Sequence, residues 1–177
     1  MTDKIQNVLF LCTGNSARSI LGEMLLNHRG AGRFRAWSAG SQPKGKVHPM
    51  ALEVLADLGV PTPRARSKNW DEFAAPDAPV FDFITTVCDN AAGETCPIWP
   101  GHPMTAHWGL EDPADVTGAG QKPAFEAAAR QLGNRIDLLL AMPVGDTDAA
   151  AARRRLQAIG VIEGSTHARG EHSPRNG

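Results

Sequence analysis

The amino-acid sequence predicts an α/β domain with three layers, in which helices cover both faces of a central four-stranded parallel sheet. Two observations predict this fold class. Short apolar runs of strand length alternate with longer segments whose apolar residues recur at helical spacing. Such alternation is typical of right-handed βαβ units with parallel strands. The 177 residues suffice for one domain with a substantial core, which we expect to span residues 1–162.

The first half of the chain contributes two strands and two helices. Residues 7–12, NVLFLC, form a continuous apolar run before a glycine turn, as expected of a buried parallel strand. Residues 19–28 carry apolar side chains at helical spacing, which predicts the first helix. Residues 34–40, FRAWSAG, predict a second strand. Residues 47–60 form an amphipathic segment that ends near a glycine, which predicts the second helix.

The second half repeats the alternation. Residues 81–88, FDFITTVC, predict a third strand with a cysteine at its end, and residues 104–110, MTAHWGL, a fourth. Residues 122–143 form the longest amphipathic segment, and a last helix is expected over 147–159.

Composition and charge exclude several classes of partner. The net charge of -1 offers no electrostatic footprint for nucleic acid or an anionic membrane surface. The longest apolar run, within 136–142, is too short to span a bilayer, and the start of the chain has no signal-like apolar core. We therefore expect a cytoplasmic protein. Residues 163–177 are polar and glycine-rich, which predicts a disordered tail.

The segment FLCTGNSARS, residues 10–19, is the strongest functional signal. A strand that ends in Cys12, a loop of small residues and a following helix form anion-binding geometry, because backbone N–H groups converge at the helix N-terminus. Arg18 adds a planar fork for two oxygens of a tetrahedral anion, and the same positive field favours the nucleophilic thiolate. The alternative is a buried cysteine beside a glycine turn, with Arg18 on the surface. The candidate oxyanion-binding residues are Thr13, Gly14, Asn15, Ser16, Ala17, Arg18 and Ser19.

Four motifs carry a family resemblance. They are VLFLCTGNSARS (8–19), WSAGS (37–41), VCDNAAGETCP (87–97) and HWGLEDP (107–113). The first resembles the phosphate-binding loop of low-molecular-weight protein tyrosine phosphatases. The other three resemble the arsenate reductases that share that fold, specifically the thioredoxin-coupled type. The resemblance covers about 140 residues and implies the low-molecular-weight phosphatase-like fold.

The resemblance also implies catalytic roles. Cys12 would attack the bound oxyanion and Asp112 would protonate the leaving oxygen, with Glu111 as the near alternative to Asp112. An Asp-Pro pair is also an ordinary turn. A reductase needs a second thiol to displace the product, and Cys88 followed by Cys96 would relay the disulfide outward. Alternatively, Cys88 is a buried strand residue and Cys96 is incidental.

The chain departs from the family pattern in two places. The two later cysteines usually enclose six residues in this family, whereas seven lie between Cys88 and Cys96. We expect an external thiol reductant, thioredoxin or else glutathione with glutaredoxin, and no bound cofactor. The phosphatases of this family usually have a tyrosine after the Asp-Pro pair, whereas this chain has Ala114 there and no tyrosine at all. The hypothesis of a tyrosine phosphatase is therefore weakened. Two alternatives remain. One is a phosphatase that acts on a phosphomonoester, and the other is a non-catalytic module that binds an oxyanion such as arsenate, phosphate or sulfate, or that senses redox state.

Two sets of residues concern ions. Some relatives hold a potassium ion near the loop, and Asn15, Glu23 and Ser38 match three of its ligand positions, while Lys68 stands at the fourth. The lysine ammonium could replace the ion, or Lys68 could point to solvent. A zinc site is disfavoured because the candidate ligands lack the close cysteine pair of a zinc knuckle. Those candidates are Cys88, Cys96, His102 and His107.

Overall fold

The computed structural model describes residues 5–87, 104–142 and 149–160. Four strands form one sheet in which every pairing is parallel, in the order β2-β1-β3-β4. The strands are β1 (Gln6–Cys12), β2 (Phe34–Gly40), β3 (Phe83–Thr86) and β4 (Met104–His107). The predicted fold class, an α/β domain around a four-stranded parallel sheet, is confirmed.

Helices cover the two faces of the sheet unequally. The α-helices of the described residues are α1 (Arg18–Arg29), α2 (Pro49–Asp57), α3 (Gln121–Leu140) and α4 (Ala149–Ile159). All four contribute to the larger apolar core, which includes Val8 and Phe10 on one face of β1. On the other face, Leu9 and Leu11 pack with a short 3-10 helix, Trp70–Phe73. Alternate residues of β1 therefore enter two cores, as expected of a strand buried on both faces.

Four elements are shorter than the sequence predicts, among them α2, which covers Pro49–Asp57 of the predicted 47–60. β3 covers only part of 81–88, and β4 ends at His107 instead of continuing to residue 110. Beyond β4, Trp108 is fully buried and its indole N–H donates to the carbonyl of Leu156 at 2.9 Å, which draws the chain towards α4. α3 ends at Leu140, before the predicted end at residue 143, because position 143 is a proline that disfavours helical backbone in the preceding residue.

Two further observations bear on the predictions. Within the described ranges, no helix has the length and apolar character needed to cross a membrane. The predicted tail, 163–177, lies outside the described residues, so the domain boundary at 162 stays a prediction.

The sheet brings the carboxyl ends of three strands together. Cys12 is paired in register with Gly40 at the end of β2, and Leu11 with Thr86 at the end of β3. One residue beyond β3, the N–H of Val87 donates to the carbonyl of Leu11 at 2.8 Å. Ligands of open parallel sheets bind at this edge.

Candidate active site

The loop between β1 and α1 turns on a residue in the left-handed region. Asn15 has a φ of 43° and is fully buried, a conformation that asparagine tolerates better than most residues. Ala17 precedes α1 and provides no side-chain cap for it. The N–H groups of the first helical turn thus have no side-chain acceptor at this position and are oriented for an anion.

A neighbouring segment holds the carbonyl groups of the loop. The backbone N–H groups of Gln42 and Lys44 donate to the carbonyls of Thr13 and Gly14, at 2.9 and 3.0 Å. The N–H of His48 donates to the carbonyl of Ser16 at 2.9 Å. We call residues 42–48 the strap. Because the strap satisfies these carbonyls from outside, the loop can direct its N–H groups inward.

Gly40 lets the end of β2 and the loop approach each other. A Cβ atom at this position would overlap the carbonyl oxygen of Thr13 and would lie 2.8 Å from that of Cys12. Both neighbours are backbone atoms and cannot rotate away. The glycine is therefore required by the close approach of β2 to the loop.

Two donors reach the sulfur of Cys12, a side chain that is only 4% exposed. The backbone N–H of Asn15 lies 3.1 Å from Sγ, and Ser19 Oγ lies 2.8 Å from it. Asn15 Nδ2 donates to Ser19 Oγ at 2.7 Å, which leaves the single hydroxyl proton of Ser19 for the sulfur. The N–H and the hydroxyl both favour the thiolate over the thiol.

Arg18 connects the loop to the segment that carries Asp112. Its Nη1 donates to the carbonyl of Leu110 at 2.8 Å, and its Nη2 lies 3.4 Å from Asp112 Oδ2. Asp112 also accepts from the N–H of Ala114 at 3.0 Å, at the start of a 3-10 turn. Between the two candidate acids, Asp112 is the one that pairs with Arg18, whereas Glu111 is exposed.

Behind the loop lies a buried charged pair. Lys68 is 6% exposed, and its Nζ lies 3.7 Å from Glu23 Oε1 and 2.8 Å from the carbonyl of Arg66. Ser38 donates a hydrogen bond to the same Glu23 oxygen. Burial raises the pKa of Glu23 and lowers the pKa of Lys68, while the attraction between the two opposes both shifts.

The backbone of Lys68 contacts the loop directly. Its N–H donates to Asn15 Oδ1 at 2.8 Å, which also orients the Asn15 amide towards Ser19. The alternative in which Lys68 points to solvent is wrong. The four residues predicted to support the loop, Asn15, Glu23, Ser38 and Lys68, lie together and are linked by hydrogen bonds and one ion pair.

Comparisons with known proteins identify the family. The pattern of the low molecular weight phosphotyrosine protein phosphatase family matches residues 7–148. The chain belongs to this family. The resemblance stated from the motifs is confirmed.

Several relatives of this chain are arsenate reductases. The chain is 31% identical to an arsenate reductase of Bacillus subtilis (strain 168) over 138 residues, which span 77% of this chain and 94% of that protein. A solved arsenate reductase in the phosphate-binding state has a TM-score of 0.65 and 27% identity, covering 77% of this chain and 98% of its own. A thioredoxin-dependent arsenate reductase of Corynebacterium glutamicum has a TM-score of 0.58 and 26% identity, covering 79% and 62% respectively.

Cys88 and Cys96 lie outside the described residues, as does His102. Val87, the last described residue before Cys88, is held between two segments of the site. Its N–H donates to the carbonyl of Leu11 and its carbonyl accepts from the N–H of Leu110 at 3.3 Å.

Of the candidate zinc ligands, only His107 lies within the described residues, and its Nδ1 lies 2.7 Å from Thr86 Oγ1. Among the described residues, no group of three or more His, Cys, Asp or Glu is placed to hold a metal ion.

Sequence reasoning missed the strap and the role of Gly40 in this phosphatase-family site. The strap acts through backbone N–H groups, which have no signature in residue type. Gly40 did carry a signal, because it ends the predicted second strand and lies beside Cys12 when the carboxyl ends of the two parallel strands are aligned. It also missed Arg135, a fully buried side chain of α3 whose Nη2 lies 3.4 Å from the carbonyl of Gly109, two residues before Glu111.

Proposed function

We propose that this protein is an arsenate reductase, which converts arsenate to arsenite through a cysteine nucleophile and a relay of thiols. The observation that carries the proposal is the environment of Cys12 in a chain that is about 30% identical to several arsenate reductases. Its sulfur receives the N–H of Asn15 and the hydroxyl of Ser19 at the N-terminus of α1. This arrangement favours a thiolate next to an oxyanion site.

In the first step, the Cys12 thiolate attacks arsenic(V) and forms a sulfur–arsenic bond. The loop N–H groups and the guanidinium of Arg18 hold the anion oxygens. One hydroxyl leaves arsenic as water, with a proton from Asp112. The 3.4 Å contact between Arg18 and Asp112 supports this role, because it keeps the acid beside the cation that binds the anion.

In the second step, the Cys88 thiolate attacks the sulfur of Cys12. A disulfide forms, the electron pair of the sulfur–arsenic bond stays on arsenic, and arsenite leaves. Cys96 then attacks Cys88 and releases Cys12 as a thiolate, which leaves a Cys88–Cys96 disulfide. The position of Val87 beside Leu11 supports this order, since Cys88 directly follows Val87 in the chain.

An external dithiol completes the cycle by reducing the last disulfide. We infer thioredoxin as this reductant, with glutaredoxin and glutathione as the second choice, and we place the reaction in the cytoplasm, where thiols stay reduced. The thioredoxin-dependent relative from Corynebacterium glutamicum supports the first choice. Phosphate and sulfate are expected to compete with arsenate for the loop, because all three are tetrahedral oxyanions.

Lys68 is inferred to replace a potassium ion. Its ammonium lies 3.7 Å from Glu23 and 3.5 Å from Ser38 Oγ, so a positive charge already faces the oxygens that would hold the ion. Activity and melting temperature should therefore be the same in sodium and potassium buffers. A large increase on adding potassium would contradict this inference.

The test of the function measures two activities on the same proteins. Arsenate reduction is followed as NADPH oxidation with thioredoxin and thioredoxin reductase, and phosphatase activity as hydrolysis of an aryl phosphate. The variants are Cys12→Ser, Cys88→Ser and Cys96→Ser. We expect Cys12→Ser to abolish both activities, whereas Cys88→Ser and Cys96→Ser abolish repeated arsenate turnover and leave aryl phosphate hydrolysis largely intact.

One result would refute the thiol relay, and two others would favour a different function. Arsenate reduction by Cys88→Ser at the wild-type rate would refute the relay. Aryl phosphate hydrolysis without arsenate reduction in the wild type would favour the phosphatase, in which water displaces Cys12. Oxyanion binding without either activity would favour a binding module.

A further inference from the structure

A cavity of about 1030 Å³ lies along the outer side of the edge strand β2. Its walls come from the second half of α1, from β2 and from residues 61–68. None of residues 12–19 lines it, so it is separate from the oxyanion loop. The proposed reaction uses two of its lining residues, Glu23 and Lys68, to support the loop and leaves the rest of the cavity without a role.

The cavity is strongly cationic, although the chain as a whole has a net charge of -1. Four lysine and arginine side chains, Arg35, Arg64, Arg66 and Lys68, line it together with His28 and a single carboxylate, that of Glu23. Lys68 is paired with Glu23, and Arg66 forms a two-pronged ion pair with Glu72.

Two of these cations are available to a ligand. Arg35 and Arg64 are both exposed, and neither makes an ion pair within the part of the chain that the structure describes. A guanidinium presents a planar fork of donors that matches the oxygens of a phosphate or carboxylate group. The two exposed guanidinium groups of this cavity therefore favour an anionic ligand.

Apolar and aromatic groups form the rest of the lining. Trp37 is half-buried, and its ring meets Phe81 edge-on at a centroid distance of 5.6 Å, which fixes its orientation. Met24, Pro61 and Phe73 also line the cavity. A tryptophan held in this way offers a surface for the ring of a ligand. The lining thus suits an anion that also carries an apolar or aromatic body.

The edge of β2 is closed to an added strand. The side chain of Asn27 bonds both the N–H and the carbonyl of Ala36, at 2.8 and 3.0 Å. Further along, the N–H of Gly40 donates to the carbonyl of Lys68 at 2.9 Å. An extended peptide would need these backbone groups to pair with the edge. These contacts disfavour the addition of a peptide strand, and the volume of the cavity is close to that of small-molecule sites.

We propose that this cavity is a second anion site, which binds a small organic phosphate or carboxylate of about nucleotide size. Its charged groups pair with Arg35 and Arg64, and its ring lies against Trp37. Cavities that bind such ligands typically measure about 300–1,000 Å³. Arg35, Arg64 and Trp37 take no part in the proposed arsenate chemistry.

The test uses AMP as the probe and calorimetry as the readout, on the full chain at low ionic strength. AMP carries both a ring and a phosphate, whereas adenosine lacks the charge and ribose 5-phosphate lacks the ring. We expect AMP to bind more tightly than either fragment. The Arg35→Gln/Arg64→Gln double variant should weaken AMP binding about tenfold or more, which corresponds to about 1.4 kcal/mol.

Two further variants separate this cavity from the oxyanion loop. Arg18→Ala removes the cation of the loop, which itself accepts phosphate groups, so it should remove at most the loop's share of AMP binding and leave the binding in the cavity. Arg130→Gln removes an exposed arginine of α3 outside the cavity. Thermal melting of each variant shows that it is folded. Three results would overturn the proposal: AMP binding lost in Arg18→Ala but kept in the double variant, an equal loss in Arg130→Gln, or no AMP binding to the wild type at millimolar concentration. Tighter binding of ribose 5-phosphate than of AMP would refute the role of Trp37.

Discussion

Ser19→Ala tests the origin of the Cys12 thiolate most sharply. Ser19 Oγ lies 2.8 Å from Sγ and accepts from Asn15 Nδ2, so its one proton points at the sulfur. Alanine removes this donor and leaves the N–H of Asn15, at 3.1 Å from the sulfur. The thiolate should therefore become less favourable relative to the thiol, and the pKa of Cys12 should rise.

The size of the effect follows from the strength of such a bond. A hydrogen bond to a charged group contributes about 1.5–3 kcal/mol. One pKa unit corresponds to about 1.36 kcal/mol, so the pKa of Cys12 should rise by about one to two units. At a pH below both pKa values, the thiolate fraction should fall about 10- to 100-fold. The greater nucleophilicity of the more basic thiolate should restore part of the alkylation rate.

The assay is the pH dependence of Cys12 alkylation by iodoacetamide in the Cys88→Ser/Cys96→Ser background. The sequence has three cysteines, so only Cys12 reacts there. Thr85→Val is the matched control, because Thr85 Oγ1 is buried and has no hydrogen-bond partner among the described residues. A Cys12 pKa that is the same with and without the Ser19 hydroxyl, in folded proteins, would refute this account of the thiolate.

Three other substitutions test the scaffold. Gly40→Ala should lower the free energy of unfolding in urea by about 1–3 kcal/mol and slow Cys12 alkylation, because the added methyl overlaps loop carbonyls. In the control Gly120→Ala, the added methyl meets only a side chain, at 3.2 Å, so the loss of stability should be much smaller. Equal losses in the two variants would contradict the close approach of β2 to the loop. Lys68→Met should cost about 3–5 kcal/mol by leaving buried Glu23 unpaired, and adding Glu23→Gln should recover part of that loss; a single variant as stable as the wild type would refute the buried pair. Burial lowers the pKa of His48. As the pH falls from 7 to 5, the unfolded chain therefore takes up a proton at His48 more readily than the folded chain, and the free energy of unfolding decreases. His48→Asn keeps a side-chain acceptor at the N-terminus of α2 and should lose less stability between pH 7 and 5 than the wild type. A pH dependence of unfolding equal to that of the wild type would contradict this role of His48.

Much of the site was predictable because its parts are close in sequence or lie at strand ends. Cys12 and Arg18 sit six residues apart between a clear strand and a clear helix, so local pattern alone predicts their convergence. The parallel sheet then predicts that the ends of β2 and β3 lie beside Cys12. The position of Asp112 depended on the family resemblance, because an Asp-Pro pair has the same local signature in an ordinary turn.

Other features depend on tertiary contacts that residue types do not encode. The strap holds the loop through backbone N–H groups, and any residue except proline could supply them. The burial of Lys68 follows from the approach of residues 66–69 to the end of β2, where the N–H of Gly40 donates to the Lys68 carbonyl. The early end of β4 results from the burial of Trp108 against α4, about fifty residues away in the chain.

The central claim is that Cys12 reduces an oxyanion bound in its loop with electrons from the thiols of this same chain. Its most direct test is the arsenite released by the fully reduced protein, freed of external reductant, when arsenate is added. The account predicts a single equivalent of arsenite per chain with the loss of two thiols, and none from Cys12→Ser or Cys88→Ser. Absence of arsenite from a wild-type protein that still binds arsenate, or equal release from Cys88→Ser, would contradict it.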